Sequence, residues 1–225
     1  AAITDVDFCE KNPEEAFLVN YESLKKLCNS NYTKKIVFIS SDAVFDGTKI
    51  NPSEKCKTSP LNVYGRTKKM SEDFLLGMDN NNSIIRTTIV GRNINKQNDN
   101  NLVEWIVDSV KSNRSIQLFD DVIFNPISTF HLANEIVYMV KNSKGGLFHI
   151  SGADTITKFE FGVKLCKSLG FSAENLNRGS IKDLNLLAKR SNNQTLDTTY
   201  YSKLTGRNLP TVKQTINEIV KYYRG

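Results

Sequence analysis

Tyr64 and Lys68 lie four positions apart in the stretch VYGRTKKMSE, a spacing that places both on one face of a helix. A phenol has a pKa of about 10 and is a poor acid or base at neutral pH. A lysine ammonium one turn away would stabilise the phenolate, so we expect it to lower that pKa. Tyr64 would then give a proton to a carbonyl oxygen as hydride reaches the carbon, or take one in the reverse direction.

Spacing alone does not establish an active site. With 8 Tyr and 22 Lys in 225 residues, chance gives about one Tyr-x-x-x-Lys pair per chain, and the sequence holds two. The other pair, Tyr21 and Lys25, falls in the row Phe17, Tyr21, Leu24 and Cys28. That row has the spacing of the buried stripe of an amphipathic helix. We therefore interpret Tyr21 as a core residue and Lys25 as a solvated one.

Strand and helix patterns place the VYGRTK pair at the edge of a sheet. The β-branched run 34–41 predicts a buried parallel strand, a helix covers about 62–78, and the run 83–90 predicts the next strand. Ligands of an open parallel sheet bind beyond the carboxyl ends of its strands. We therefore expect Ser41, at the end of the first strand, to meet the pair there. Its hydroxyl would hydrogen-bond the same carbonyl oxygen and orient it.

The remaining patterns complete an α/β fold with a doubly wound parallel sheet. They predict helices over about 13–29, 102–110, 129–141, 157–169 and 211–223, strands over 115–119 and 145–151, and irregular structure over 171–210. We assign residues 1–91 to the C-terminal part of a Rossmann-like nucleotide-binding domain. Residues 92–225 form a mixed region that contributes a smaller substrate-binding lobe and the remaining sheet elements.

The composition indicates a globular protein with a small anionic ligand. No apolar run approaches the ~20 residues of a membrane span, and no signal-peptide pattern is present. The net charge of +6 suits a nucleotide or sugar diphosphate, whereas the absence of a basic run argues against nucleic acid. We expect a cytoplasmic protein whose four scattered cysteines are free thiols. Its two distant histidines predict no metal site.

Three motifs in order resemble the extended short-chain dehydrogenase/reductase superfamily, and within it the dTDP-4-dehydrorhamnose reductase family. They are ISSDAVFDGT, PLNVYGRTK and IIRTTIVG, each at its expected strand end. The stretch AAITDVDFCEKNPEEAFLVN also resembles that family's segment after its fourth strand. The resemblance covers most of the chain and is strongest over residues 1–91.

The resemblance implies a catalytic Ser/Thr–Tyr–Lys triad that maps onto Ser41, Tyr64 and Lys68, with Asn20 supporting the lysine through water. It implies reduction of a 4-keto-6-deoxy sugar on a nucleoside diphosphate with NADP(H), or alternatively NAD(H). A homodimer is one assembly that the sequence leaves open. Positions similar to those that line the cofactor, besides the Tyr–Lys pair, are Ala1, Ala2, Ser40, Arg86 and Thr87. Substrate-side positions are Ser41, Asp42, Asn101, Asp121, Asn125 and Ile127.

The sequence departs from the family pattern at three places. The family's G-x-x-G-x-x-G loop, which binds pyrophosphate, precedes the point where this sequence begins, so we expect roughly 60 residues to be absent. Ala43 stands where the family has tyrosine, and Ser41 stands where it has threonine. In FDDVIFNPIS, Asp121 takes a glutamine position and Phe124 a glycine-flanked one. The last departure lies in the substrate lobe and affects the substrate more than the reaction.

Three functions stay open. The first is an NADP(H)-linked reductase of a nucleotide-linked keto sugar. The second is a nucleotide-sugar epimerase or dehydratase that uses the same triad and recycles its cofactor without net consumption. The third is a non-catalytic nucleotide-binding partner, because the regulatory subunit of methionine adenosyltransferase resembles the same pattern, including ISSD.

Overall fold

A computed structural model describes residues 2–30, 35–78, 81–92, 101–142 and 145–224. Parallel strands packed against helices confirm the predicted α/β class. Within these ranges, no helix combines the length and the apolar character that crossing a bilayer requires.

The helices in the described ranges include all the predicted ones, and the first and the eighth are additional to the prediction. They are α1 (Val6–Lys11), α2 (Pro13–Phe17), α3 (Ser23–Cys28), α4 (Val63–Leu76), α5 (Leu102–Lys111), α6 (Thr129–Asn142), α7 (Lys158–Leu169), α8 (Thr199–Thr205) and α9 (Val212–Arg224). A π-helical turn, Leu18–Glu22, joins α2 to α3 and makes one nearly continuous helical stretch. At the starts of α4, α5 and α7, Asn62, Asn101 and Thr157 each accept a hydrogen bond from the backbone N–H three residues on.

The strands of the described ranges are short. They are β1 (Val37–Ile39), β2 (Ser83–Arg86), β3 (Ile89–Val90), β4 (Ile116–Phe119), β5 (Ile123–Phe124), β6 (Ile127–Ser128), β7 (Gly146–His149), β8 (Ile156–Thr157), β9 (Leu176–Gly179) and β10 (Asn193–Gln194). The predicted strand 83–90 is therefore two strands. After β2, the Thr88 carbonyl accepts from the Ile127 N–H at 3.1 Å, and β3 pairs with β6 instead of continuing the first sheet.

The first sheet has the order β1-β2-β7, and both of its pairings are parallel. Every residue of the central strand β2 is buried, as the apolar run predicted. The helix α4 connects β1 to β2, so the residues at its start lie near the carboxyl end of β1. Strand β7 comes from the second half of the chain, which therefore contributes to the same sheet.

The prediction that residues 171–210 are irregular was wrong. This stretch contains β9, β10 and α8, and β9 pairs in parallel with β4. Strand β9, with the sequence LNRG, buries only Leu176. It therefore lacks the alternation of apolar and polar residues by which a strand is predicted from sequence. The neighbouring helices α5, α7 and α9 share a hydrophobic core that includes Ile106, Phe161 and Ile216.

A buried ionic network ties α4 to the carboxyl ends of β1 and β2. The Arg86 guanidinium donates to both carboxylate oxygens of Glu72, with Nε–Oε1 and Nη2–Oε2 distances of 2.9 and 2.7 Å. The Ser40 hydroxyl donates to the same carboxylate at 2.5 Å. His149 Nε2 lies 3.3 Å from Arg86 Nη1, and burial together with the Arg86 charge lowers the pKa of His149 to about 3. His149 is therefore neutral, and Glu72 balances the arginine.

Replacing Glu72 with Gln should lower the free energy of unfolding by about 3–5 kcal/mol, because it leaves Arg86 as an uncompensated buried charge. Asp73→Asn is the matched control, since the neighbouring Asp73 forms an exposed ion pair with Lys69 that should contribute less than about 1 kcal/mol. Urea unfolding of both variants measures the difference. Equal losses would contradict the importance of the buried network.

Candidate functional site

The loop after β1 presents Ser41 and Asp42 at the carboxyl edge of the sheet. Ser41 caps a short 3-10 helix, Asp42–Val44, and its Oγ accepts from the Ala43 N–H at 3.1 Å. The same hydroxyl donates to Asp42 Oδ1 at 3.0 Å. The Asp42 N–H contacts the Thr87 carbonyl just beyond β2 at 3.4 Å. The loop is thus fixed to the neighbouring strand, and both polar side chains are held at the sheet edge.

Gly65 lets the first turn of α4 approach this loop. A Cβ at Gly65 would lie only 2.2 Å from the Ala43 carbonyl oxygen and 2.9 Å from Pro60 Cβ. The adjacent Tyr64 is consequently brought beside the loop, where burial and then the charge of Asp42 raise its pKa and a hydrogen bond with Ser41 acts to lower it.

Lys68 lies one turn further along α4, and only 5% of its surface is exposed. Its Nζ donates to the Ile39 carbonyl at 3.0 Å, at the end of β1, and lies 5.7 Å from the centre of the Tyr64 ring. The structure therefore brings Ser41, Tyr64 and Lys68 to one sheet edge, as the motif order predicted.

The electrostatics of the site differ from the sequence-based expectation. Burial, followed by the negative charge of Asp42, raises the pKa of Tyr64, so the expected net lowering by Lys68 was wrong. Burial also lowers the pKa of Lys68 to about 8, against the opposing effect of Glu72. At neutral pH, Tyr64 therefore keeps its proton and Lys68 is largely charged.

Asn20 lies within the π-helical turn and is 3% exposed. Its side chain accepts from the Ile3 N–H at 2.7 Å and donates to the Ile3 carbonyl and Thr67 Oγ1 at 3.0 and 3.2 Å. The backbone carbonyl of Asn20 accepts a hydrogen bond from the Ser71 hydroxyl at 3.1 Å. Asn20 thus joins the N-terminal segment to the α4 residues that flank Lys68. Its support of Lys68 through water remains a prediction.

The predicted cofactor residues divide into two groups. The side chains of Ser40 and Arg86 are committed to Glu72. Thr87 Oγ1, beside the carboxyl end of β2, is buried and without a hydrogen-bond partner among the described residues. A polar group of a dinucleotide would satisfy it, so the edge fits such a cofactor. Ala2 lies in the irregular segment before α1, and Ala1 lies outside the described residues.

The substrate-side predictions other than Ser41 and Asp42 fall on residues with structural contacts. Asn101 caps α5, and Ile127 is fully buried in the core. Asp121 accepts from Ser180 Oγ and the Ile181 N–H, whereas Asn125 bonds the backbone of Gly152 and Leu196. No hydrogen bond found in the described ranges joins these four side chains to the Ser41–Tyr64–Lys68 group. Their contact with a substrate remains a prediction.

The RmlD substrate-binding domain family matches residues 1–224. The chain belongs to this family. This confirms the resemblance drawn from the three motifs, and the match extends beyond residues 1–91, where that resemblance is strongest, over the second half of the chain.

Several named relatives of this RmlD-type chain are reductases, whereas two others are methionine adenosyltransferase 2 beta subunits from Xenopus species. A probable low-salt glycan biosynthesis reductase of Haloferax volcanii is 28% identical over 217 residues, covering 95% of this chain and 72% of the relative. A dTDP-4-keto-6-deoxy-D-glucose reductase of Streptomyces niveus is 31% identical over 176 residues, covering 76% of this chain but only 59% of the relative. The crystal structure of a dTDP-4-dehydrorhamnose reductase ortholog from Clostridium acetobutylicum is 26% identical, with a TM-score of 0.90, and the match covers 100% of this chain and 79% of that one.

Sequence reasoning missed Lys158 as a neighbour of the loop in this RmlD-type chain. Lys158 is the first residue of α7, and its Nζ lies 3.5 Å from the centre of the Phe124 ring. Burial lowers its pKa to about 8, whereas the nearby Asp42 acts to raise it. Burial raises the pKa of Asp42 to about 6, opposed by Lys158. A lysine between apolar residues in ITKFEF is the signal that would have indicated partial burial.

Gly65→Ala should lower the free energy of unfolding by about 1–3 kcal/mol, because the new methyl group overlaps the Ala43 carbonyl. Gly77→Ala, at the other end of α4, is the control. Gly77 has a helical φ of −76°, and the nearest atom to its added Cβ is 3.4 Å away, so alanine should be neutral or slightly stabilising. Urea unfolding measures both, and a tolerated Gly65→Ala would contradict the close contact.

Asp42→Asn should change the pH dependence of stability. The folded protein holds the Asp42 proton more tightly than the unfolded chain, so the stability from this group is lost as pH rises from about 4 to about 6. The Asn variant should therefore gain stability relative to the wild type between pH 4 and 7. Thermal unfolding across that range measures the gain.

Asp46→Asn should change the pH dependence of stability in the opposite direction. Hydrogen bonds from Thr48 lower the pKa of Asp46, so its contribution is present at neutral pH and is lost as pH falls through the lowered pKa. This variant should be destabilised at pH 7 and approach the wild type in acid. The same change of stability with pH in both variants would contradict the raised pKa of Asp42.

Proposed function

We propose that the protein is an NADP(H)-dependent reductase of a nucleotide-linked 4-keto-6-deoxy sugar, with Tyr64 as its general acid. The observation that carries the proposal is the placement of Tyr64 beside Ser41 and Lys68 at the carboxyl edge of β1. A phenol that stays protonated at neutral pH suits the protonation of a carbonyl oxygen, which becomes strongly basic as it is reduced. The reductase names of the relatives support the same class.

Each member of the group has a separate role in this proposal. The Ser41 hydroxyl donates to the carbonyl oxygen and orients it toward Tyr64. Tyr64 Oη then transfers its proton to that oxygen. The Lys68 ammonium, 5.7 Å from the ring centre, stabilises the phenolate that remains, and its own position is fixed by the Ile39 carbonyl.

Lys68, Thr87 and the backbone at the ends of β1 and β2 would hold the cofactor. NADPH, or alternatively NADH, supplies a hydride to the carbonyl carbon when bound. Ser40 and Arg86 act indirectly, since their network with Glu72 fixes the ends of the two strands. In the same proposal, residues 1–91 contribute this nucleotide side, and residues 92–225 supply the substrate lobe.

Tyr64→Phe should lower the rate of NADPH oxidation with a dTDP-4-keto-6-deoxy sugar by about 100-fold or more, because the general acid is lost. Tyr21→Phe is the matched control, since Tyr21 belongs to the other Tyr-x-x-x-Lys pair and packs against Phe74 with ring centres 6.3 Å apart. The assay uses protein expressed from the complete coding sequence. Unchanged turnover in Tyr64→Phe would contradict the assignment.

The same assay separates the remaining candidates. Product formation without net NADPH oxidation would indicate an epimerase or dehydratase. Cofactor binding with no turnover of any keto sugar, together with a stable heteromeric complex, would indicate a nucleotide-binding partner protein.

A further inference from the structure

Lys158 is held near the loop of Ser41 and Asp42 by the second half of the chain. Strands β5 and β8 pair in antiparallel register, with Phe124 opposite Ile156, and α7 begins directly after β8. The Lys158 N–H donates to the Val122 carbonyl at 3.0 Å, and the ammonium lies over the face of Phe124 at 3.5 Å. Both ends of the residue are therefore fixed by packing and hydrogen bonding.

Hydrogen bonds connect this region to the loop that carries Asp42. The Asp42 N–H contacts the Thr87 carbonyl, and the next residue, Thr88, donates its hydroxyl to the Asn125 carbonyl, directly after Phe124. These contacts join the loop of Asp42 to the β5 segment whose Phe124 ring lies under Lys158. The mutual electrostatic effect of Asp42 and Lys158, seen in the pKa of each, agrees with this arrangement.

The two charged groups are near each other but do not form a direct ion pair. None of the ion pairs within 4.0 Å in the described part of the chain includes Asp42 or Lys158. Among the described residues, the Asp42 carboxylate accepts a side-chain hydrogen bond from Ser41, its neighbour. Opposite charges that are partly desolvated without touching retain most of their desolvation cost. A group that both accepts and donates a hydrogen bond would satisfy the two at once.

We propose that Lys158 and Asp42 bind one hydroxyl group of the substrate sugar between them, which makes Lys158 a specificity-determining residue. A hydroxyl accepts from the ammonium and donates to the carboxylate, whereas an ether or a methyl group cannot do both. Asp42 adjoins Ser41, so the recognised hydroxyl lies on a ring carbon close to the reacting carbonyl. This inference rests on the proposed function, because the ligand is the sugar of a nucleotide-linked substrate.

Binding of two ligands tests the inference without requiring turnover. Titration calorimetry compares dTDP-glucose with dTDP on the wild type, Lys158→Met and Lys164→Met. Lys164 lies on the same helix, is exposed and serves as the charge-matched control. Lys158→Met should weaken dTDP-glucose binding by about 10-fold or more, the effect of losing a hydrogen bond to a charged group, and leave dTDP within about twofold. Lys164→Met should change neither.

A second variant keeps the test decisive if Lys158→Met folds poorly. Lys158→Gln retains an N–H donor and similar volume, so it should lose less affinity for dTDP-glucose than Lys158→Met relative to the wild type. Combining Lys158→Met with Asp42→Asn should cost less than the sum of the two single changes, because both groups bind the same hydroxyl.

Three results would overturn the inference. They are wild-type affinity for dTDP-glucose in Lys158→Met, equal weakening of dTDP and dTDP-glucose, and full additivity with Asp42→Asn. Failure of the wild type to bind either ligand is a different result, since it would contradict the proposed substrate class and the inference with it.

Discussion

Gly65 brings the first turn of α4 against the carbonyl oxygen of Ala43, where any larger residue would overlap the loop. Two hydrogen-bonded caps meet at this contact, since Asn62 caps α4 and Ser41 caps the short helix of the loop. The positions of Tyr64 and of the Ser41 hydroxyl therefore depend on each other. The buried Glu72–Arg86 ion pair stabilises the same contact by fixing α4 to β2.

The chemistry of Tyr64 follows from the balance of charges around this contact. Burial, followed by the charge of Asp42, disfavours the phenolate of Tyr64, whereas a hydrogen bond with Ser41 favours it. Burial also shifts Asp42 and Lys68 toward their neutral forms. The positive charge of Lys158 opposes the rise in the pKa of Asp42 that burial causes. Burial of the Tyr64 phenol, together with the negative charge of Asp42, thus keeps Tyr64 protonated at neutral pH.

The sequence predicts those parts of the site that depend on local order along the chain. The strand-end position of Ser41 and the helix that carries Tyr64 and Lys68 follow from hydrophobic periodicity, from the positions of glycine and proline, and from the order of the motifs. The direction of the Tyr64 pKa shift does not, because it depends on burial by residues distant in sequence. Lys158 reaches the loop through the pairing of β5 with β8, two strands of two residues each, which no periodicity can reveal.

Transfer of deuterium from the cofactor to the sugar is the sharpest test of the proposed reductase activity, since it follows the hydride and not merely the disappearance of a cofactor. Protein expressed from the complete coding sequence is incubated with a dTDP-4-keto-6-deoxy sugar and NADPH that carries deuterium at both C4 positions of the nicotinamide. Our account predicts a reduced sugar that is one deuterium heavier, in amounts equal to the NADPH oxidised. A product without deuterium, or NADPH binding with no product, would contradict it.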